Sequence, residues 1–286
     1  MGEQDVLSIE RQGTVATLWL DRPEARNAMA LAFFEQLPRA MGELSEDRDI
    51  RAVVVAARGP HFSVGLDLKA MGPVLAGQGA GGIGGGDAPE AGASPSMAAK
   101  AMAARPAILR LQRSVSSLSD CPKPVVAAVH GYCIGGGINV ASACDIRLAS
   151  ADAVFSVRET RVAIVCDLGA LQRLPRIVGA GHVAELAYTG KNITAQRAKE
   201  IGLVNDVLPD TEALHKAALE LAGEMAANSP LVVQGTKAVL RASEGRPVSE
   251  GLDYVATWNA GFLPSEDLVE AMTAFMEKRP PQFRGR

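Results

Sequence analysis

The run Cys121-Pro122-Lys123-Pro124-Val125-Val126-Ala127-Ala128-Val129-His130-Gly131 leads through Tyr132-Cys133-Ile134 into Gly135-Gly136-Gly137 and then Ile138 to Ala143. Val125 to Val129 is apolar throughout and bounded by prolines, which predicts a short buried strand. The glycines then open a helix. Glycine lets backbone approach a ligand closely. A helix starting at Gly135 leaves unpaired N–H groups at its positive end. Two such groups converging on one oxygen form an oxyanion hole, the usual device for a developing enolate. Taken alone, such turns more commonly serve tight packing of strand on helix.

Working outward, the same pattern recurs upstream. Ala52 to Ala57 is a second buried run, followed by His61-Phe62-Ser63-Val64-Gly65-Leu66-Asp67. Before it, Val6 to Glu10 and Thr14 to Leu20 flank Gln12-Gly13 and predict a hairpin. A helix is expected over 30–44, bent or interrupted at Pro38. Another is expected from Met97 to Leu118. Strands are expected near Asp145 to Leu148, Val154 to Val157 and Leu203 to Val207. Helices are expected near 168–178, 180–188, 194–201, 211–227, 230–242, 248–261 and 265–278. Strands alternate with helices early and helices alone fill the end, which predicts an α/β core over 1–205 and a helical region over 206–286. The tail carries more apolar face than one core covers, so oligomerisation is expected. Residues 72–96 are dense in Gly, Ala and Pro and predict a flexible insertion or flap. Their Gly-x-Gly runs follow no strand, which argues against a dinucleotide site.

Composition excludes several function classes. The net charge of −3 over 286 residues argues against wrapping nucleic acid or lying on an anionic membrane. No apolar run approaches the roughly 18 residues of a membrane span. Met1 to Asp5 is polar and acidic, and Phe283-Arg284-Gly285-Arg286 carries no peroxisomal address, so a cytoplasmic location is expected. Cys121, Cys133, Cys144 and Cys166 form no Cys-x-x-Cys pair and the histidines are scattered. No metal site is therefore expected, and the thiols should be reduced and mostly buried.

Three polar residues stand out. Asp167 lies in Val162-Ala163-Ile164-Val165-Cys166-Asp167-Leu168-Gly169-Ala170. An apolar setting raises a carboxyl pKa toward the range useful for proton transfer. The alternative is an N-cap for a helix beginning at Leu168. Glu159, flanked by the polar residues Arg158 and Thr160, reads more readily as half of a surface ion pair than as an acid. Asn139, on the first turn after the glycines, has a hydrogen-bonding, capping or packing role.

Together these motifs resemble the crotonase (enoyl-CoA hydratase/isomerase) superfamily. The likeness rests on residues 121–137, on Ser142-Ala143-Cys144-Asp145-Ile146-Arg147, and on Pro23 through Asn27-Ala28-Met29. It reaches the tail through Ser229-Pro230 and Lys237. It implies a crotonase-like spiral of repeated ββα units with a C-terminal helical oligomerisation region, assembled as a homotrimer or a dimer of trimers. The match is strongest to the dienoyl-CoA isomerase branch, through Asp167 to Pro175 and Tyr254-Val255-Ala256-Thr257-Trp258-Asn259. That likeness implies an acyl-CoA substrate, with coenzyme A part of it and no other cofactor. It implies oxyanion N–H groups from Leu66 and Gly136, with Asp167 as base and Glu159 as proton donor. It also implies CoA contacts from Arg26, Ala28, Ser63, Gly65, Leu66, Asp67 and Leu68, and from Phe275 and Lys278 of a neighbouring copy. Asn139 departs from the branch, which carries Asp there, and from hydratases, which carry Glu. Asn exchanges no proton at neutral pH, which argues against hydration. An enoyl-CoA hydratase, a Δ3-Δ2 isomerase and a catalytically impaired acyl-CoA-binding protein are the alternatives.

Overall fold

The structure, a computed structural model, describes residues 5–75 and 96–286. The Gly/Ala-rich stretch 72–96 lies, apart from its ends, outside the described residues. β1 (Leu7–Gln12) and β2 (Val15–Leu20) form the expected hairpin, and α1 (Leu31–Glu46) follows a short turn of 3-10 helix at Pro23–Ala25. α1 runs unbroken through Pro38, against expectation. Proline removes one hydrogen bond, but Phe33, Phe34, Leu37, Met41 and Leu44 bury a continuous stripe on both sides of it. Packing of that stripe outweighs the local defect.

The chain continues through β3 (Ala52–Ala57), α2 (Leu68–Leu75), α3 (Met97–Asp120), β4 (Val125–Val129), β5 (Tyr132–Ile134), α4 (Gly136–Ala143), β6 (Ile146–Ser150) and β7 (Val154–Ser156). A turn of 3-10 helix at Glu159–Val162 precedes α5 (Ala170–Val178), α6 (Ala180–Thr189), β8 (Ile193–Thr194), α7 (Ala195–Glu200) and β9 (Asp206–Leu208). Four helices close the chain: α8 (Thr211–Ala226), α9 (Pro230–Ser243), α10 (Val248–Phe262) and α11 (Glu266–Glu277). The last strand is shorter and later than expected. Gly202 turns the chain at φ +80, and Leu203 and Val204 are buried in that turn instead of a sheet.

Two sheets form. One has the order β1-β2-β3-β4-β6-β9 and the other β5-β7-β8. In the larger sheet only the β1–β2 pair is antiparallel. β2, β3 and β4 are buried along their whole length. Alternate residues explain why. Val53, Val55 and Ala57 join a core with Leu37 of α1, Val115 of α3 and Ile138 of α4. Ala52, Val54 and Ala56 meet Leu214, Ala218, Ala222 and Ala226 of α8. Unbroken apolar runs are what strands covered on both faces require.

Charged braces tie the tail to this core. Buried Lys123 donates to the carbonyls of Leu44 and Asp47 at the C-terminal end of α1, where a cation is favoured. Lys237 of α9 donates to the Lys123 carbonyl at 2.9 Å and to Asp145 Oδ2 at 2.6 Å. Lys237→Met should lower unfolding stability by about 1.5–3 kcal/mol, the usual worth of a charged hydrogen bond. Chemical denaturation measures it, and activity per folded molecule should not change.

The topology sets up the site. β3 and β4 are parallel neighbours, so the loops at their carboxyl ends lie side by side. β5 and β7 are also parallel, in register Ile134↔Ser156, so the chain beyond Ser156 meets the start of α4.

Candidate active site

Three loops are sewn together around the glycines. Ser63 N–H donates to Tyr132 O at 2.8 Å, and Ile134 N–H donates to Ser63 O at 3.1 Å. Met29 N–H donates to Gly65 O, and Asp67 N–H to Met29 O, at 2.8 and 2.9 Å. Ser63 Oγ donates to Asn27 O and accepts from Gly65 N–H. The loops approach so closely that a Cβ on Gly65, which sits at φ +90, would lie 2.9 Å from Ile134 O and 3.0 Å from Gly136 N. Gly65 is required by that approach. Neither the Leu66 nor the Gly136 N–H donates a hydrogen bond among the described residues. Gly136 begins α4, so its free N–H belongs to the positive end of that helix.

Two holding residues have no obvious sequence signal of their own. Asn27, at φ +53, accepts from Arg22 N–H through Oδ1 and donates from Nδ2 to the carbonyls of Arg58 and His61. Arg22 donates to Ala28 O and pairs with Asp67 at 2.9 Å. Asn27 is among the few side chains that tolerate the left-handed region, and that was the available clue. Asp67 also accepts from Ala70 N–H in the first turn of α2. That bond and then Arg22 hold its pKa below the ordinary carboxylate value. Arg26 and Leu68 are exposed at the rim of these loops, with Ala28 between them half-buried.

The polar residues gather around Asn139. Fully buried on α4, its Nδ2 donates to Gly135 O at 3.1 Å and to Glu159 Oε1 at 3.0 Å. Its Oδ1 accepts from Ala170 N–H at 2.8 Å and from the Cys166 thiol at 3.4 Å. Burial, and then the nearby Glu159 charge, push that thiol up to about 12, so it stays protonated and donates. Glu159 Oε2 is buried with no hydrogen-bond partner. The surface ion-pair reading of Glu159 therefore gives way. Its neighbours Arg158 and Arg161 turn to Asn192 and to the Thr189 carbonyl.

Asp167 is not a helix cap, because α5 begins at Ala170 after Gly169. Its carbonyl accepts from Gln112 Nε2 at 2.7 Å, fixing the backbone against α3. Burial raises the pKa of its carboxyl. It lines a cavity of about 1060 Å³ with Gln112, Ser116 and Arg173; Glu159 does not line it. Asn139 is thus the hydrogen-bonded link between Glu159 and the segment carrying Asp167. Phe275, 85 % exposed, and Lys278 end α11. All four cysteines are free and buried, as expected.

The sequence family of enoyl-CoA hydratase/isomerase matches residues 10–82 and 83–286. This chain belongs to that family. Among enoyl-CoA hydratase/isomerase members, the peroxisomal Δ(3,5)-Δ(2,4)-dienoyl-CoA isomerase of Arabidopsis thaliana is 39% identical over 286 residues, covering 99% of this chain and 98% of the relative. The mitochondrial enzyme of the same name from Dictyostelium discoideum is 41% identical over 270 residues, covering 94% and 87%. Enoyl-CoA hydratase from Bacillus anthracis superimposes with a TM-score of 0.85 at 30% identity, covering 99% of this chain and all of that one. The crotonase architecture expected from sequence is present, in an enzyme of this family. The cytoplasmic expectation is overturned, since these isomerases are peroxisomal and mitochondrial proteins. Absence of recognisable address signals was weak ground for it.

Proposed function

We propose that this chain isomerises unsaturated fatty acyl-CoA thioesters, converting 3,5-dienoyl-CoA to 2,4-dienoyl-CoA. The observation that carries the reading is the buried, unpartnered Glu159 Oε2 close to the start of α4, where a main-chain N–H is free. The thioester carbonyl oxygen accepts from the N–H groups of Leu66 and Gly136. With its carbonyl held there, the thioester loses an α-proton to Asp167 and becomes an enolate that the two N–H groups stabilise. Glu159, entering with a proton on Oε2, gives it to the far end of the conjugated enolate, both double bonds shift, and exchange with solvent takes the proton off Asp167 and restores the one on Glu159. The substrate's own coenzyme A is the sole carrier in this scheme, and no metal or further cofactor takes part.

The CoA moiety follows Arg26, Ala28 and the 63–68 loop. Phe275 and Lys278 of a second copy complete its site in a trimer or a dimer of trimers. The exposed apolar residues Val269, Met272, Phe275 and Met276 on α11 support such an assembly.

Hydration is the second reading, since the fold also houses hydratases. Asn139 weighs against it, because an amide cannot deprotonate a water. The test follows 3,5-dienoyl-CoA turnover by the rise in 2,4-dienoyl absorbance, beside crotonyl-CoA hydration in the same preparation. Isomerisation in excess of hydration is expected. Hydration without isomerisation would overturn the proposal.

A further inference from the structure

We infer that Asn139 is a positioning residue that holds both acids at once, aiming Glu159 through one end of its amide and the Asp167 segment through the other. The inference rests on the isomerase reading for its purpose, and on geometry for its content.

The amide has one orientation that fits. Two acceptors, Gly135 O and Glu159 Oε1, face one end, and two donors, Ala170 N–H and the Cys166 thiol, face the other. Nitrogen toward the acceptors and oxygen toward the donors satisfies all four contacts; the flipped amide would set oxygen against Gly135 O and Glu159 Oε1 and nitrogen against Ala170 N–H. The side chain is fully buried, so no water can substitute for a lost partner without opening the core.

Each end has a consequence. At the nitrogen end, Oε1 of Glu159 is occupied by an N–H donor. Any proton Glu159 carries therefore resides on Oε2, the oxygen left without a partner. At the oxygen end, Ala170 N–H is the first amide of α5, and Cys166 immediately precedes Asp167. Fixing residues 166 and 170 leaves little freedom for the carboxyl between them. One buried amide thus sets the relative placement of two acids that no direct hydrogen bond joins.

Asn rather than Asp also leaves no second carboxyl against Glu159 Oε1. An Asp here would set a second carboxyl where Nδ2 now lies, 3.0 Å from Glu159 Oε1. Two carboxylates so close cannot both ionise, and one proton affinity must rise. The Asp would still accept from Ala170 N–H. Asn139→Asp therefore breaks the Glu159 arm and spares the other, whereas Asn139→Ala removes both.

The experiment compares the full-length wild type with both variants by three readouts. These are kcat and KM for 3,5-dienoyl-CoA across pH, Glu159 titration by carbon-13 carboxyl NMR, and hydrogen exchange of the peptide containing Ala170. Asn139→Ala should lower kcat roughly 10- to 100-fold, as misplacement by about an ångström does, with a much smaller change in KM. It should also deprotect Ala170. Asn139→Asp should keep Ala170 protected while moving the Glu159 titration and, with it, the pH profile of kcat. An unmoved Glu159 titration in Asn139→Asp, or a protected Ala170 in Asn139→Ala, would overturn the inference. So would a variant that lost thermal stability alone. Absence of dienoyl-CoA turnover in the wild type would defeat the isomerase reading instead, and the NMR and exchange readouts would still decide the role of Asn139.

Discussion

Asp167→Asn should lower kcat for dienoyl-CoA isomerisation by roughly 100- to 10,000-fold, the usual worth of a positioned acid or base. The substitution removes proton acceptance and little else, because the shape is nearly unchanged and the Asp167 carbonyl keeps its bond from Gln112. Stability should not fall. Burial raises the folded-state pKa of this carboxyl, so the folded chain holds the proton more tightly than the unfolded one. Its contribution to stability is therefore greatest below the ordinary value of 3.8 and is lost as pH rises through the raised one. At neutral pH the ionised group is a cost, which Asn removes. Inactivity with an unchanged or higher melting point is thus the expected pair of results. The wild-type profile follows the same logic: kcat/KM should fall on the acid side at a pH above 3.8, as the base becomes protonated. Near-wild-type turnover in Asp167→Asn would remove Asp167 from the mechanism and leave Glu159 to do both transfers.

Gly65→Ala should cost about 100- to 1,000-fold in kcat, comparable to losing one oxyanion donor. The new methyl would meet main-chain atoms, Ile134 O at 2.9 Å and Gly136 N at 3.0 Å, and neither can rotate away as a side chain could. Relief requires the two loops to part, which displaces the N–H of Leu66 relative to that of Gly136. A positive φ adds backbone strain of about 1–3 kcal/mol. Gly13→Ala separates the two effects. Gly13 also has a positive φ, but it turns the β1–β2 hairpin, and a Cβ there meets nothing within 4 Å. It should lower the melting point while leaving kcat alone. If Gly65→Ala merely matched Gly13→Ala, the loop contact would have no part in catalysis.

Much of this was legible in the chain because burial on both faces leaves strands almost wholly apolar. The runs 52–57 and 125–129 announced themselves for that reason. The glycine turns after them were visible, but their convergence was not, because it depends on β3 and β4 being parallel neighbours. β5 and β8, of three and two residues, are too short to carry a periodic signal, yet β5 is what brings Glu159 beside α4. Pro38 misled because local chemistry was weighed without the stripe it interrupts. Asn139 could be seen to need hydrogen bonds; its partners at 135, 159, 166 and 170 come mostly from other elements, and no local window contains them.

The free N–H groups of Leu66 and Gly136 belong to the main chain, which every codon but proline's encodes alike. Short of substitution by proline, point mutation can misplace them but cannot delete them. Asp167 and Glu159 have no such protection, and a single base change separates Asp from Asn. On the proposed mechanism, polarisation of the thioester goes with the architecture, while the proton chemistry depends on single side chains. Asn139 stands where the resemblance leads one to expect Asp, a side-chain difference that leaves the main-chain groups as they are.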